Sequence, residues 1–244
     1  MGNIIYVVGM GPGKKEFMTA QEISVIEKSD VIVGYDLYVK LLKESFPDKE
    51  YMTTGMKREI ERCELCVKLA SEGKNVALIC SGDAGVYGMA SPLLEILPEE
   101  SDTEVFVVPG ITAALSGAAL LGAPLNHDFC LISLSDLLTP FAVIEKRLRA
   151  AIQGDFAISI YNPASKGRPE HLKRACEIMM DAGASKDRIC GYVENIGRDD
   201  TKTEICTLEE LSEKELNMFT TVFVGNSKTY EKNGKMITKR GYNE

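Results

Sequence analysis

Residues 4–13 read IIYVVGMGPG, five apolar and mostly β-branched positions running straight into glycines at 9, 11 and 13. A β-branched run without polar alternation predicts a strand covered on both faces, the kind that fills parallel sheets flanked by helices. Glycines behind such a strand let the backbone turn tightly and let another chain or a ligand approach it closely. The same succession recurs twice. NVALIC (75–80) is followed by SGDAGVYG (81–88), and EVFVV (104–108) by PGITAA (109–114). In open α/β sheets ligands bind beyond the carboxyl ends of strands, so three such loops point to one shared crevice.

Outward from these loops, apolar spacing predicts helices over 19–28, 37–45, 57–72, 86–97 and 111–121, with a further strand at 31–33. Strands alternating with helices define the α/β class with a largely parallel sheet. The segment GAPLNHD (122–128) has loop composition, and the domain boundary is placed there: one α/β domain over 1–124 and a second over 125–244. The second half predicts strands at 129–134, 156–161, 188–194 and 220–224 and helices at 140–152 and 170–182. Short antiparallel additions are expected at 203–207 and 235–238, and Asn233-Gly234 is a strong hairpin-turn dipeptide.

Composition narrows the function classes. The chain of 244 residues is 45% hydrophobic and 26% charged, enough apolar material for sizeable cores. Asp plus Glu number 36 against 28 Lys plus Arg, a net charge of −8 that argues against a nucleic-acid partner. The longest apolar stretch, 111–125, is broken by Gly117, Gly122 and Pro124, so no membrane helix is expected. The first residues pass directly into a strand pattern with no basic leader, so a cytoplasmic location is expected. Seven cysteines and two histidines are scattered along the chain. The single Cys63-x-x-Cys66 pair lies within a helical pattern and is read as core packing, with no metal site expected.

Neither common nucleotide template fits the first loop. A dinucleotide fingerprint needs its third glycine one place later than Gly13, and a phosphate-binding P-loop needs four residues between its glycines where Gly9 and Gly13 enclose three. For the second loop, Asp83 reads either as a ligand carboxylate or as the N-cap of a helix starting near Val86.

Taken together and in order, GMGPG, SGDAGVYG and VVPGITAA resemble the motifs of the tetrapyrrole methylase family over nearly the whole chain. YNPASKGRP (161–169), LISLSD (131–136) and ENIGRDD (194–200) resemble the branch that methylates C17 of precorrin-3B or cobalt-factor III. One departure is Ala84, where the wider family often has proline after Gly-Asp. The resemblance implies two α/β domains of the tetrapyrrole methylase type with the active-site cleft between them, assembled as a homodimer. It implies S-adenosylmethionine as cofactor, a tetrapyrrole substrate, and C17 methylation with ring contraction in cobalamin (vitamin B12) biosynthesis. Another methylase of the family, or a non-catalytic nucleotide-binding module, is the alternative.

Carried over residue by residue, the cofactor contacts are Pro12, Ser81, Gly82, Asp83, Val86, Thr112, Ala113, Asn162, Asn195 and Gly197. Methyl transfer from a sulfonium needs alignment more than an activated nucleophile. Ring contraction moves protons and needs an acid or base, for which Asp83, Tyr87, Ser135, Asp136 and Glu194 are candidates. The acetate and propionate arms of the substrate call for cations, with Lys166, Arg168 and Arg198 the favoured ones. His127 and His171 are assigned no catalytic part.

Overall fold

The computed structural model describes residues 4–242, so residues 1–3 and 243–244, the outer ends of the two expected domains, lie outside the described residues. The chain forms two compact units, Met1–Ala113 and Ala114–Glu244. The first contains β1 (Ile4–Gly9), α1 (Ala20–Lys28), β2 (Val31–Tyr35), α2 (Asp36–Lys43), β3 (Glu50–Thr54), α3 (Glu59–Ser71), β4 (Val76–Cys80), α4 (Ala90–Ile96) and β5 (Glu104–Val108). Its five strands form one parallel sheet in the order β3-β2-β4-β1-β5.

Side-chain alternation shows why this sheet needs helices on both faces. Ile5 and Val7 of β1, Val31 and Val33 of β2, and Val76 and Leu78 of β4 pack with Cys63, Cys66 and Leu69 of α3 and Leu93 of α4. Val8, Ile32, Ala77 and Ile79, one residue out of step, pack with Val25 and Ile26 of α1 and Val39 and Leu42 of α2. Successive strand residues point to opposite faces, so a continuous apolar run is satisfied only by this double cover. The Cys63-x-x-Cys66 pair is part of the core, and burial pushes the Cys63 thiol up to about 11 and the Cys66 thiol higher still.

The connection leaving β1 runs toward β2 and the one leaving β4 runs toward β5, in opposite directions along the sheet. Because β1 and β4 are neighbours, the sheet has its topological switch point between them, where loops part and leave a crevice. The polar strand β3, with sequence EYMTT, carries no alternation of its own. It forms because Glu50–Thr54 pairs in register with Val31–Tyr35.

The second unit contains α5 (Ala113–Leu121) from its second residue on, β6 (Gly122–Ala123), β7 (Phe129–Ser133), α6 (Phe141–Gln153), β8 (Ala157–Tyr161), α7 (His171–Asp181), β9 (Ile189–Glu194), β10 (Lys202–Thr207), α8 (Leu208–Ser212), β11 (Thr220–Val224), β12 (Thr229–Lys232) and β13 (Lys235–Thr238). Its main sheet has the order β10-β9-β11-β8-β7, and only β7 and β8 are parallel. The largely parallel arrangement therefore holds for the first unit alone. Here the late strand β11 inserts between β8 and β9 and reverses both pairings.

Helices α6, α7 and α8 cover one face of this sheet through Ile144, Leu148, Leu172, Met179 and Leu211. Ala118 and Leu121 of α5 pack against Val193 and Phe223 on the other. A Cβ added at Gly117 would sit 2.8 Å from the Phe223 ring, so this helix lies close against the sheet. That packing, with β6 pairing parallel to β13, places α5 and β6 in the second unit, whereas loop composition had put the boundary after residue 124. At the β12–β13 turn, Asn233 (φ 53°) and Gly234 (φ 69°) are both left-handed, as a tight hairpin requires.

Candidate functional site

In the first unit the loops after β1 and β4 are fastened to each other by backbone hydrogen bonds, and the loop after β5 is tied to them through the Asp83 carboxylate. Met10 N donates to Cys80 O at 2.8 Å, and Gly11 and Gly82 exchange N–H···O bonds of 3.0 and 2.9 Å. The contact tolerates no side chain at two places. A Cβ on Gly110 would lie 2.2 Å from Gly82 O and 2.3 Å from Gly9 O, and one on Gly9 would lie 2.5 Å from Gly82 O. Gly82 itself has φ +66°.

Asp83 caps no helix. Its Oδ1 accepts from Gly85 N at 2.8 Å and its Oδ2 from Gly110 N at 3.0 Å, so one carboxylate ties the second glycine loop to the third. The helix expected from residue 86 starts only at Ala90, because the chain stays in the loop through Met89. Tyr87 takes a left-handed φ of 54° and is 57% exposed, an uncommon state for an aromatic residue. Ser81 is exposed, Pro12, Gly82, Asp83, Val86 and Ala113 are half-buried, and Thr112 is buried.

Behind these loops lies Glu22, a residue the sequence reading passed over. Thr19-x-x-Glu22 is the capping box of α1, with Thr19 N donating to Glu22 Oε2 at 2.9 Å and Glu22 N to Thr19 Oγ1 at 3.2 Å. The residue is fully buried, and Oε1 has no hydrogen-bond partner. Burial, aided by the nearby Asp83 charge, raises its carboxyl to about 7. The capping spacing is visible in the sequence; the burial is not.

In the second unit β7 and β8 are parallel, and β8 and β9 both run antiparallel to β11, so the loops after β7, β8 and β9 leave the same edge of the sheet. Asn162 and Asn195 both have left-handed backbones, φ 52° and 53°. Asn162 Nδ2 donates to Ser133 Oγ at 3.0 Å; Asn195 N donates to Phe219 O at 3.1 Å and its Nδ2 to Asp200 Oδ2 at 2.7 Å. Gly197, φ 73°, completes that turn. Arg198 folds back on it, with Nη1 3.5 Å from Asn195 Oδ1 and its guanidinium 5.0 Å from the Phe219 ring centre. Glu194 accepts from Asn217 Nδ2 at 2.7 Å. Tyr161, which opens the YNP segment, accepts the Ala114 N–H of α5 at 2.7 Å.

The SKGR segment closes on itself through two backbone bonds between Ser165 and Arg168, leaving Lys166 exposed at the tip. Arg168 turns inward. Its Nε donates to Ser165 Oγ at 3.1 Å and its Nη1 to Ser135 Oγ at 2.6 Å, with Asp136 Oδ1 3.5 Å away. His171 Nε2 stands 3.2 Å from Asp136 Oδ2. The His171 contact and the Arg168 charge hold the Asp136 carboxyl below its usual range. The structure thus brings Ser135, Asp136 and Arg168 into one cluster and adds His171, which the sequence reading had left out. The only signal for it was a histidine three residues beyond Arg168, at the start of a helix.

The fold and these loops define a class, and comparison with known proteins agrees. The model of the tetrapyrrole (corrin/porphyrin) methylases matches residues 4–212, and the chain belongs to that family. A Salmonella typhimurium protein named "Probable cobalt-factor III C(17)-methyltransferase" is 47% identical over 240 residues, covering 98% of this chain and 99% of its own. A "Precorrin-3B C(17)-methyltransferase" from Sinorhizobium sp is 36% identical over 94% of this chain and 91% of its own. The crystal structure of the methyltransferase CobJ aligns with a TM-score of 0.89 at 35% identity, over 98% of this chain and 100% of that one. Among the described residues no helix is long and apolar enough to cross a membrane.

Proposed function

We propose that this protein methylates C17 of cobalt-factor III and contracts its macrocycle in cobalamin biosynthesis, as a cytoplasmic homodimer with S-adenosylmethionine as methyl donor. The supporting observation is likeness along the whole length, 47% to a relative named for cobalt-factor III against 36% to one named for precorrin-3B. That difference favours the cobalt-bearing substrate.

The first unit suits an adenosyl ligand in its chemistry. Its three loops are small-residue backbone locked by mutual hydrogen bonds, with Ser81 exposed and Gly82, Asp83 and Val86 half-exposed at a switch point. Pro12, Ser81, Gly82, Asp83, Val86, Thr112 and Ala113 are assigned to the cofactor there, and Asn162, Asn195 and Gly197 in the second unit. Each Asp83 oxygen already accepts one N–H and keeps a second lone pair for a cationic amino group. When bound, the cofactor supplies an electrophilic methyl group; the chain's part in that step is alignment.

Lys166, Arg168 and Arg198 are assigned to the substrate's carboxylate arms. Asp136, held ionised by His171 and Arg168, is a weak base and is better suited to orienting Arg168 than to moving protons. Ser135 is engaged by the same guanidinium. With Asp83 assigned to the cofactor and Glu194 bonded to Asn217 Nδ2, we place proton transfer during ring contraction on Tyr87, whose left-handed backbone holds its ring on an exposed loop.

The test is an anaerobic assay with methyl-labelled S-adenosylmethionine and either cobalt-factor III or metal-free precorrin-3B. Labelled product with a contracted-ring spectrum from cobalt-factor III is expected. Turnover of precorrin-3B alone would reverse the substrate assignment, and label in neither would refute the activity.

A further inference from the structure

His171 is the first residue of α7, and its ring meets Phe141, the first residue of α6, edge-on at 5.0 Å. The Arg174 guanidinium covers Phe141 at 3.9 Å from its centre. These contacts fix the imidazole so that Nε2 faces Asp136 Oδ2 at 3.2 Å, sealed from solvent and without the alignment of a hydrogen bond. With Oδ2 turned to His171, Asp136 presents Oδ1 to Arg168. The side chains of His171 and Arg168 are each only 18% exposed. Ser135 and Ser165 take the Nη1 and Nε edges of the guanidinium, and no described residue bonds Nη2.

Asp136 and Arg168 already balance each other in charge, so the pair has no electrostatic need of a third group. What the imidazole supplies is direction. Packed 3.2 Å from Oδ2, it restricts the carboxylate's rotation, and Oδ1 in turn orients the guanidinium 3.5 Å away. A planar fork recognises a carboxylate only when so oriented.

We infer that His171 is a positioning residue for tetrapyrrole recognition, bracing Asp136 so that Arg168 is presented to a substrate carboxylate. The inference rests on the assignment of Arg168 to the substrate made above. His171→Gln keeps a nitrogen near the position of Nε2, while His171→Ala removes it.

The experiment is an anaerobic absorbance titration of cobalt-factor III into the wild type, H171A, H171Q, R168A and the H171A/R168A double variant. Adenosylmethionine affinity is measured by calorimetry and turnover in parallel. H171A is expected to weaken tetrapyrrole binding roughly tenfold, the scale of one oriented charge-assisted contact. It should raise KM with kcat within about twofold, and leave adenosylmethionine affinity unchanged. H171Q should recover most of the loss, and adding H171A to R168A should cost less than about twofold more, because His171 acts through Arg168.

Unchanged tetrapyrrole affinity in H171A, equal loss of both ligands, or full additivity in the double variant would overturn the inference. A wild type that binds no tetrapyrrole would overturn it as well. A wild type that binds without turnover would refute the proposed reaction alone and leave the affinities to decide this point.

Discussion

Replacing Glu22 by glutamine should stabilise the protein at alkaline pH and do little at acid pH. Glu22 is fully buried, Oε1 is unpartnered, and the carboxyl is raised from 4.5 to about 7. A group whose pKa rises on folding favours the folded state fully below the unfolded value, and that contribution is lost as the pH climbs through the folded value. Here the window runs from about 4.5 to about 7. At about 1.4 kcal/mol per tenfold change in proton affinity, ionised Glu22 costs about 3 kcal/mol above that window. Glutamine keeps the oxygen that accepts from Thr19 N, so the capping box survives. Thermal unfolding of both proteins at pH 5 and pH 8.5 measures the effect. At pH 8.5 the variant should melt roughly 5–10 °C higher. At pH 5 the gap should shrink to about 1 kcal/mol or less. An equal gap at both pH values, or a destabilised variant at pH 8.5, would refute the claim that a buried titrating carboxyl lies behind the glycine loops.

Arg168→Ala should weaken tetrapyrrole binding by roughly tenfold or more while leaving adenosylmethionine affinity nearly unchanged, as read by the two titrations. Equal loss of both would mean its loop has another role. Gly110→Ala forces a Cβ to 2.2 Å from Gly82 O, an overlap with backbone that no rotamer relieves. It should cost about 3 kcal/mol or more and abolish adenosylmethionine binding by calorimetry; normal binding would show that the loops need not touch. Tyr87→Phe should retain labelled methyl transfer and slow ring contraction by about 10²-fold or more, seen as product with label but without the contracted-ring spectrum. A fully contracted product formed at the wild-type rate would remove Tyr87 from the mechanism.

Much of the site was legible because its signals are local. An apolar β-branched run followed by glycines states both the strand and the tight loop behind it, and β1, β4 and β5 lie where those runs do. The order of GMGPG, SGDAGVYG and VVPGITAA, followed by YNPASKGRP, carried the family in sequence alone. Elements with weak local signals were missed. Strand β3 is polar and exists through its pairing with β2, and the short helix α8 is announced only by the Thr207–Glu210 capping box. The late start of α4 has a similar cause, since residues 86–89 have the apolar spacing of a helix yet stay in the loop, with Tyr87 left-handed.

What the sequence by itself determined is which segments are strands, which loops are glycine-rich, and to which family they belong. Propensity and turn chemistry act over a few residues, and motif order is carried by the chain. Pairing across distance is different. The insertion of β11 between β8 and β9, the membership of α5 in the second unit, and the meeting of Ser135, Asp136, Arg168 and His171 from two loops and a helix depend on contacts made only once the chain is packed. The same holds for charge. Asp83 became the tie between two loops and Glu22 a carboxyl near 7 through burial and hydrogen bonding, and those are properties of surroundings that the folded chain alone supplies.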